Sequence, residues 1–175
     1  ERCVYPLPDQ MSFVTASLLE PLTIGLQAVR LGRAGPTTRS AVVIGAGTIG
    51  LAIIVALKAY GVQRIAAVDL DASRLKEAME FGADAVFDAT ETTAKQLAEW
   101  GTSSADTDGA DLVLEAVGAA ASVETAIHAV TRGGTVVLVG NVSPAVELPL
   151  QTVVTRQIRL QGSCASAGCY PEAIE

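Results

Sequence analysis

Three glycines and one acid stand out by their spacing. Gly45, Gly47 and Gly50 follow a short apolar run, and Asp69 ends a second apolar run after a helix-like segment. Glycine permits a tight turn after a strand, close approach of a ligand to the backbone, and close packing of a helix on a strand. A strand, a glycine loop, a helix and an acid after the next strand are the pattern of a βαβ unit that binds a dinucleotide.

The same segment indicates which dinucleotide is bound. The helix that begins near Thr48 would direct free N–H groups and the positive end of its dipole at a pyrophosphate. Asp69 would accept hydrogen bonds from the adenosine ribose hydroxyls and repel a 2′-phosphate, which favours NAD over NADP. Arg74, in the next helix, could hold that phosphate, although a position along the adenine ring fits better. The alternative, a glycine-rich helix-packing surface, does not explain the flanking strand, helix and acid.

The glycine motif opens a regular alternation of strands and helices. Continuous apolar runs predict strands at Ser40–Ile44, Arg64–Val68, Ala85–Phe87, Asp111–Glu115, Thr135–Val139 and Ile158–Gly162. Helix-like segments span Thr48–Tyr60, Ala72–Phe81, Glu91–Trp100 and Ala120–Thr131. Short uninterrupted apolar strands are typical of a parallel sheet covered on both faces. We therefore expect an α/β fold with a doubly wound six-stranded parallel sheet, the Rossmann fold.

Two regions lie outside this alternation. Ser12–Leu31 is predicted to be largely helical, with a second segment starting at Pro21, and a last helix begins at Pro171 near the end of the sequence. We expect residues 1–39 to form linker helices to a catalytic domain that this sequence lacks. Residues 40–162 would form the NAD-binding domain, and 163–175 the start of a return segment, so the sequence is expected to be a fragment of a longer protein.

Composition and charge argue against nucleic acids and membranes as partners. The chain has 175 residues, of which 50% are hydrophobic and 18% charged, and its net charge is −7. No basic stripe is present, which argues against nucleic-acid binding and against docking on anionic membranes. The uncharged stretch Ala41–Leu57 is too short and too rich in glycine to span a bilayer.

Cysteine usage bears on the compartment. Cys3, Cys164 and Cys169 are odd in number and lack Cys-x-x-Cys spacing, so we expect reduced thiols and a cytoplasmic protein. The first ten residues do not form the apolar core of a signal peptide, because they carry acids and prolines.

Several motifs together resemble one enzyme family. The run Ser17-Leu-Leu-Glu-Pro-Leu-Thr-Ile-Gly-Leu-Gln-Ala-Val-Arg resembles the segment that joins the two domains of zinc-dependent medium-chain dehydrogenases, especially sorbitol and other polyol dehydrogenases. Three further motifs follow in the order of that branch: Val43-Ile-Gly-Ala-Gly-Thr-Ile-Gly, Asp69-Leu-Asp-Ala-Ser-Arg-Leu and Gly133-Gly-Thr-Val-Val-Leu-Val-Gly. The resemblance implies that the parent oxidises a secondary alcohol or polyol to a ketone. NAD would accept the hydride and zinc would polarise the alkoxide.

The resemblance also implies positions for the cofactor. Ile49 would lie along it, Asp69 would bind the adenosine ribose and Arg74 would flank the adenine. The nicotinamide side would be formed by the turns after strands four, five and six, namely Val117, Gly118, Val139, Gly140, Asn141, Cys164, Ala165 and Ser166. Ligands of open parallel sheets bind at these carboxyl ends.

Glu20 has two open interpretations. In the polyol branch an acid at this point lies close to the catalytic zinc, directly or through water, whereas an acid before Pro21 also suits the start of a helix. The other zinc ligands of the family would lie upstream of this sequence. Where sorbitol dehydrogenases have an aromatic-arginine-aromatic run, the chain has Cys164-Ala165-Ser166, which leaves sorbitol itself in doubt as the substrate.

Two alternatives to the dehydrogenase stay open. One is a module that binds NAD(H) without chemistry, which suits the isolated chain. Another is the cofactor domain of a zinc-free enzyme of the quinone-reductase type, although the Leu-Glu-Pro-Leu segment and Asp69 argue against it. Members of the family commonly pair subunits through strands five and six. Apolar residues of Val142–Ile158 would serve a homo-oligomer there or be buried within the monomer.

Overall fold

A computed structural model describes residues 4–105, 107–166 and 168–175. It contains one parallel sheet with strand order β3-β2-β1-β4-β5-β6. The strands are β1 Ala41–Ile44, β2 Ile65–Asp69, β3 Ala85–Asp88, β4 Ala110–Glu115, β5 Val130–Leu138 and β6 Arg159–Gly162. The six-stranded, doubly wound sheet predicted from the sequence is therefore confirmed. Cys3 lies outside the described residues.

Helices cover both faces of the sheet. Their bounds are α1 Phe13–Ala16, α2 Leu19–Leu31, α3 Thr48–Ala59, α4 Ala72–Glu80, α5 Ala94–Gly101, α6 Ala120–Ala129, α7 Leu150–Thr155 and α8 Tyr170–Ile174. Side chains alternate along each strand, so successive residues enter different cores. Val43 packs with Leu26 of α2 and Ile53 of α3 on one face. Val42 packs with Ile127 of α6 on the other.

The order of the strands creates a crevice. β1 pairs with β2 on one side and with β4 on the other, so the chain reverses its direction of winding between β1 and β4. Ligands of doubly wound sheets bind outside the carboxyl ends of the strands at this point. The loops after β1, β2, β4, β5 and β6 all open toward that edge.

Helix α2 packs directly on α3. A Cβ atom at Gly25 would lie 2.7 Å from the carbonyl carbon of Ala52, so only glycine allows this approach. The second helical segment was predicted to start at Pro21, whereas α2 begins at Leu19. Proline is tolerated there because N–H groups in the first helical turn have no partner inside the helix.

Two predicted boundaries were wrong for tertiary reasons. Helix α6 ends at Ala129 rather than at Thr131, and Val130 pairs with Ala110 as the start of β5. The Asp108 carboxylate accepts the Arg132 N–H at 2.8 Å and the Thr131 hydroxyl at 2.9 Å, which holds the chain in the extended form.

Helix α5 begins three residues later than predicted. It starts at Ala94 because Thr93 forms a capping box with Gln96, in which each side chain accepts a backbone N–H of the other residue. Helix α7 was not predicted from the sequence. Its run Thr152–Thr155 is β-branched, and such residues have low helix propensity. Among the described residues, no helix combines the length and the apolar character needed to cross a bilayer.

Candidate cofactor-binding site

The glycine loop after β1 has the geometry that its sequence predicts. Gly45 has φ +93°, in the region that favours glycine, and its N–H donates to the Val68 carbonyl at 2.8 Å. A Cβ atom at Gly50 would overlap the carbonyl oxygen of Gly45, so α3 lies against the loop only with glycine there. At Gly47, a Cβ would point into open space. The loop is therefore tightly packed at Gly45 and Gly50, and it faces open space at Gly47.

The start of α3 is free to bind an anion. Gly47 is the N-cap residue and supplies no side-chain oxygen to the first turn, which begins with Thr48 and Ile49. The first N–H groups of a helix have no acceptor within the helix and carry the positive end of its dipole. Open space at Gly47 beside these groups fits a pyrophosphate.

Asp69 connects the end of β2 to the glycine loop. Its side chain is 8% exposed. One carboxylate oxygen, Oδ2, accepts the N–H of Ala46 at 2.7 Å, and Oδ1 accepts the N–H of Asp71 at 3.0 Å. A carboxylate has about four acceptor positions, so capacity remains for ligand hydroxyls. The acid is thus fixed by the same loop that would hold the phosphates.

Arg74 lies beside this acid. Its Nη1 is 3.8 Å from Oδ2 of Asp69, and about half of the side chain is exposed. Arg74 is carried by α4, whose N-cap residue Asp71 accepts both the N–H and the hydroxyl of Ser73. The Ser73 side-chain bond and then its backbone bond hold the pKa of Asp71 below the usual value.

A cavity of about 330 Å³, the Asp69 cavity, joins these groups. It is lined by Ile44, Gly45, Val68, Asp69, Leu70, Arg74, Ala89, Thr92, Val117, Ala119, Ala121, Ser122 and Thr125. Thr92, Ser122 and Thr125 were not predicted here from the sequence. Thr92 follows β3 and the other two lie in α6, in segments without a distinctive motif, and only the parallel sheet brings them beside Asp69.

A second cavity of about 690 Å³, the Asn141 cavity, lies across the crevice. Seven residues predicted for the nicotinamide side or the cofactor path line it: Ile49, Val117, Val139, Gly140, Asn141, Cys164 and Ala165. Ile24, Ala116, Leu138, Val142, Gly162 and Ser163 complete the lining. The buried Ser163 Oγ has no hydrogen-bond partner among the described residues. An orphaned polar atom in a largely apolar wall fits a polar group on a ligand.

Two predicted residues do not line the Asn141 cavity. Gly118 lies behind Val117, at φ +82°, against the backbone of Gly140 and Asn141. Ser166 lies instead on a third cavity of about 720 Å³, which it shares with Glu20. The turn after β6 thus contributes to two cavities.

Glu20 is exposed and lies in the first turn of α2. Its third cavity is also lined by Val4, Tyr5, Leu7, Ala16, Ser17, Leu19, Gly168, Tyr170 and Ile174. The described part of the chain contains no group of three His, Cys, Asp or Glu residues arranged to hold a metal ion. Glu20 is therefore one carboxylate at a cavity wall, and both interpretations of it stay open.

Glu115, the last residue of β4, was not predicted from the sequence as a site residue. Its side chain is fully buried, and its Oε1 accepts the N–H groups of Val117 and Gly118, both at 2.8 Å. Its main-chain oxygen accepts the N–H groups of Val139 and Gly140. The available signal was an acid at the end of a buried apolar strand.

Known proteins share this architecture. A family model described as zinc-binding dehydrogenase matches residues 48–175. Sorbitol dehydrogenase from Ovis aries is 35% identical over 176 residues, which cover 97% of this chain and 48% of that protein. The chain spans about half the length of the curated relatives it matches.

Solved structures agree with the family match. A 2R,3R-butanediol dehydrogenase from Bacillus subtilis is similar with a TM-score of 0.86 and 30% identity, over 97% of this chain and 48% of that one. A short chain alcohol dehydrogenase from Escherichia coli CFT073, in complex with NADH, is similar with a TM-score of 0.86 and 26% identity. The match covers 97% of this chain and 49% of that one. On this fold, these cavities and these matches, the chain belongs to the zinc-binding dehydrogenases, in the zinc-dependent medium-chain family that the motifs indicated.

Proposed function

We propose that this chain is the NAD(H)-binding half of a zinc-dependent dehydrogenase that oxidises a secondary alcohol or polyol to a ketone. The observation that carries the proposal is Asp69, a buried carboxylate tied by Ala46 to the glycine loop and facing its own cavity. Bound NAD would supply the hydride acceptor, which no side chain can provide.

The two cavities suit the two ends of such a cofactor. In the Asp69 cavity, the carboxylate would accept the ribose hydroxyls and disfavour a 2′-phosphate, while Arg74 would flank the adenine. In the Asn141 cavity, Ile49, Val117 and Val139 would exclude water from the nicotinamide ring. The unpartnered hydroxyl of Ser163 would bond to the carboxamide. The first turn of α3, from Thr48 to Gly50, would hold the pyrophosphate between them.

Discrimination between NAD and NADP tests the cofactor assignment. Calorimetric titration of the chain with each dinucleotide is expected to give tighter binding of NAD, because the Asp69 carboxylate would repel a 2′-phosphate. Tighter binding of NADP would contradict the role given to Asp69. Absence of binding to either would contradict the proposed function as a whole.

The zinc chemistry belongs to the parent protein. The described residues do not by themselves form a metal site, so the 175-residue chain is proposed to bind cofactor without turnover. In the parent, residues 1–39 and 163–175 would connect to a catalytic domain that holds the zinc, with Glu20 near it. Among the relatives are enzymes named for sorbitol and butanediol, which supports an alcohol or polyol substrate.

The activity of the parent protein tests the proposed zinc-dependent oxidation of an alcohol or polyol. We expect NADH formation from a panel of polyols and secondary alcohols, and a chelator should abolish turnover while leaving NADH binding intact. Turnover that persists after complete metal removal would favour the zinc-free type instead. The resemblance implies that Ala165 takes the place of an arginine of sorbitol dehydrogenases, so we expect sorbitol to be a poorer substrate than smaller secondary alcohols.

We further propose that the β5–β6 region forms a contact between subunits. β6 is an edge strand, and Leu150 and Val154 on the neighbouring α7 are each 65% exposed. Val146 and Val153 of the same region are partly buried against the monomer core. Sedimentation of the wild type and of Val154→Lys tests the contact, with a monomeric wild type as the contradicting result.

A further inference from the structure

Glu115 is an acid in an unusual place. It ends β4 in the centre of the sheet, its side chain is fully buried, and none of the ion pairs within the described part of the chain includes it. Its Oε2 is buried without a hydrogen-bond partner among the same residues. Burial of a carboxyl group is unfavourable unless it is well hydrogen-bonded, so its persistence calls for a specific role.

Four backbone N–H groups converge on this one residue. The side-chain Oε1 accepts Val117 and Gly118 at 2.8 Å each, which fixes the turn after β4. The main-chain oxygen accepts Val139 at 2.8 Å and Gly140 at 2.9 Å, which fixes the turn after β5. Glu115 is thus the common acceptor of the two turns that border the Asn141 cavity.

The two turns are also in direct backbone contact. A Cβ atom at Gly118 would overlap the backbone of Gly140 and Asn141, and one at Gly140 would overlap that of Val117 and Gly118. Neither turn can move toward the other, because there is no side-chain space between them. The Glu115 carboxylate oxygen therefore holds the turn after β4 against a second turn, which the main-chain oxygen of the same residue holds.

Val117 connects this arrangement to the ligand. Its side chain lines both the Asp69 cavity and the Asn141 cavity. Val117 also packs against the glycine loop. A Cβ atom added at Gly45 would lie only 2.8 Å from Cγ2 of Val117. A shift of Val117 would change both cavities and the loop between them.

We propose that Glu115 is a positioning residue for the cofactor, whose buried carboxylate oxygen holds Val117 at the junction of the two cavities. The inference rests on the proposed function, because it takes NAD(H) as the ligand of those cavities. The position of the acceptor oxygen Oε1 holds the turn in place, and this role does not require the negative charge of the carboxylate.

Two conservative variants separate oxygen placement from charge. Glu115→Gln keeps an acceptor at the Oε1 position and removes the charge, so NADH affinity should stay within about threefold of the wild type. Glu115→Asp keeps the charge but withdraws the acceptor by one methylene, so NADH affinity should fall about tenfold. Equal affinity of all three proteins, or a Gln variant as weak as the Asp variant, would overturn the proposal.

Amide hydrogen exchange supplies a local readout. In the wild type, Val117 and Gly118 should exchange slowly, and in Glu115→Asp these two amides should lose protection. Val139 and Gly140 are the internal control, since their main-chain acceptor is unchanged by the substitution. Fast exchange of Val117 and Gly118 in the wild type would overturn the proposal even if a variant failed to fold. A wild type that does not bind NADH would instead contradict the proposed function, while the exchange result would still test the role in positioning.

Discussion

The two cavities at the carboxyl edge of the sheet are built differently. The Asp69 cavity uses charged and hydroxyl side chains, among them Asp69 and Arg74, that would contact a ligand themselves. The Asn141 cavity is walled mostly by apolar side chains and by backbone turns. Glu115 is buried behind this wall and bonds to the backbone of the turns.

The difference shows how one fold can serve two purposes at one edge. Selection between NAD and NADP needs a charge near the ribose, where a carboxylate discriminates directly. Hydride transfer needs a rigid apolar surface that orients a flat ring and excludes water. Under the proposed function, side chains would do the first and a locked backbone would do the second, so substitutions in the two cavities should reduce binding in different ways.

The largest effect is expected from the glycine that closes the loop between the cavities. Gly50→Ala places a methyl group on the Gly45 carbonyl oxygen, so the free energy of unfolding should fall by about 1–3 kcal/mol or more. Denaturant titration measures this loss, and NADH binding should fall with it because the loop itself is displaced.

Gly47→Ala is the matched control for that experiment. Its added methyl group points into open space, so stability should stay within about 1 kcal/mol of the wild type while NAD binding is lost. Equal stability of the two variants would show that the tight contact at Gly50 does not support the loop. Intact NAD binding by Gly47→Ala would show that the ligand does not lie there.

The next largest effect should appear at Asp69. Asp69→Asn removes the charge from hydrogen bonds to the ribose, which is expected to weaken NAD binding by about 1–3 kcal/mol. NADP binding should weaken less or improve, because the repulsion of its 2′-phosphate is gone. Calorimetry with both dinucleotides measures the ratio. Asp71→Asn, which removes an exposed acid two positions away, is the control. An unchanged ratio of NAD affinity to NADP affinity in Asp69→Asn would contradict direct discrimination by a side chain in the Asp69 cavity.

Acid should affect two helices beside the Asp69 cavity unequally. Helix α4 beside the Asp69 cavity is capped by Asp71, whose folded pKa is lowered by hydrogen bonds from Ser73. Because the folded pKa lies below the unfolded value, this contribution to stability is full above about pH 4 and is lost as the pH falls through the folded value. The difference in Tm between wild type and Asp71→Asn should therefore shrink in acid.

Helix α6 provides the comparison for the acid experiment. Its first turn also borders the Asp69 cavity, and there the Ser122 hydroxyl, which does not titrate, accepts the Ala119 N–H at 3.2 Å. Amide exchange at acidic pH should thus show loss of protection in the first turn of α4 before that of α6. Simultaneous loss in both helices would contradict a local carboxylate effect.

The smallest effect is expected at Arg74. Its guanidinium is 3.8 Å from Asp69 and half exposed, and such pairs contribute about 0–1 kcal/mol. Arg74→Gln should therefore change NAD affinity less than fivefold, on the order of that contribution. A much larger loss would mean that Arg74 binds the cofactor directly and strongly, as the carboxylate does.

The Asp69 cavity was largely predictable from sequence. Its key residues occur in one continuous βαβ segment, where glycine spacing, helix start and terminal acid are local signals. The six-stranded sheet was predictable too, because uninterrupted apolar runs are also a local signal. Thr92, Ser122 and Thr125 were not predicted, because they lie in later segments, a loop and helix α6, and meet Asp69 only through the strand order.

The Asn141 cavity was predictable only through family resemblance, and imperfectly. Its turns were located correctly, but Gly118 and Ser166 do not line it, since one packs behind Val117 and the other faces a different cavity. Glu115 was missed because a carboxylate that bonds to backbone N–H groups two and three residues later leaves no periodic pattern. Helix α7 was missed because its β-branched residues favour a strand locally.

One measurement tests most directly whether a single dinucleotide spans both cavities. Amide chemical shifts of this 18.0 kDa chain can be compared between titrations with ADP-ribose and with NADH. ADP-ribose should perturb Gly45, Asp69 and Ser122 around the Asp69 cavity, and NADH should perturb these and, in addition, Val139, Asn141 and Ala165. Identical perturbations by the two ligands, or perturbations away from both cavities, would contradict the account.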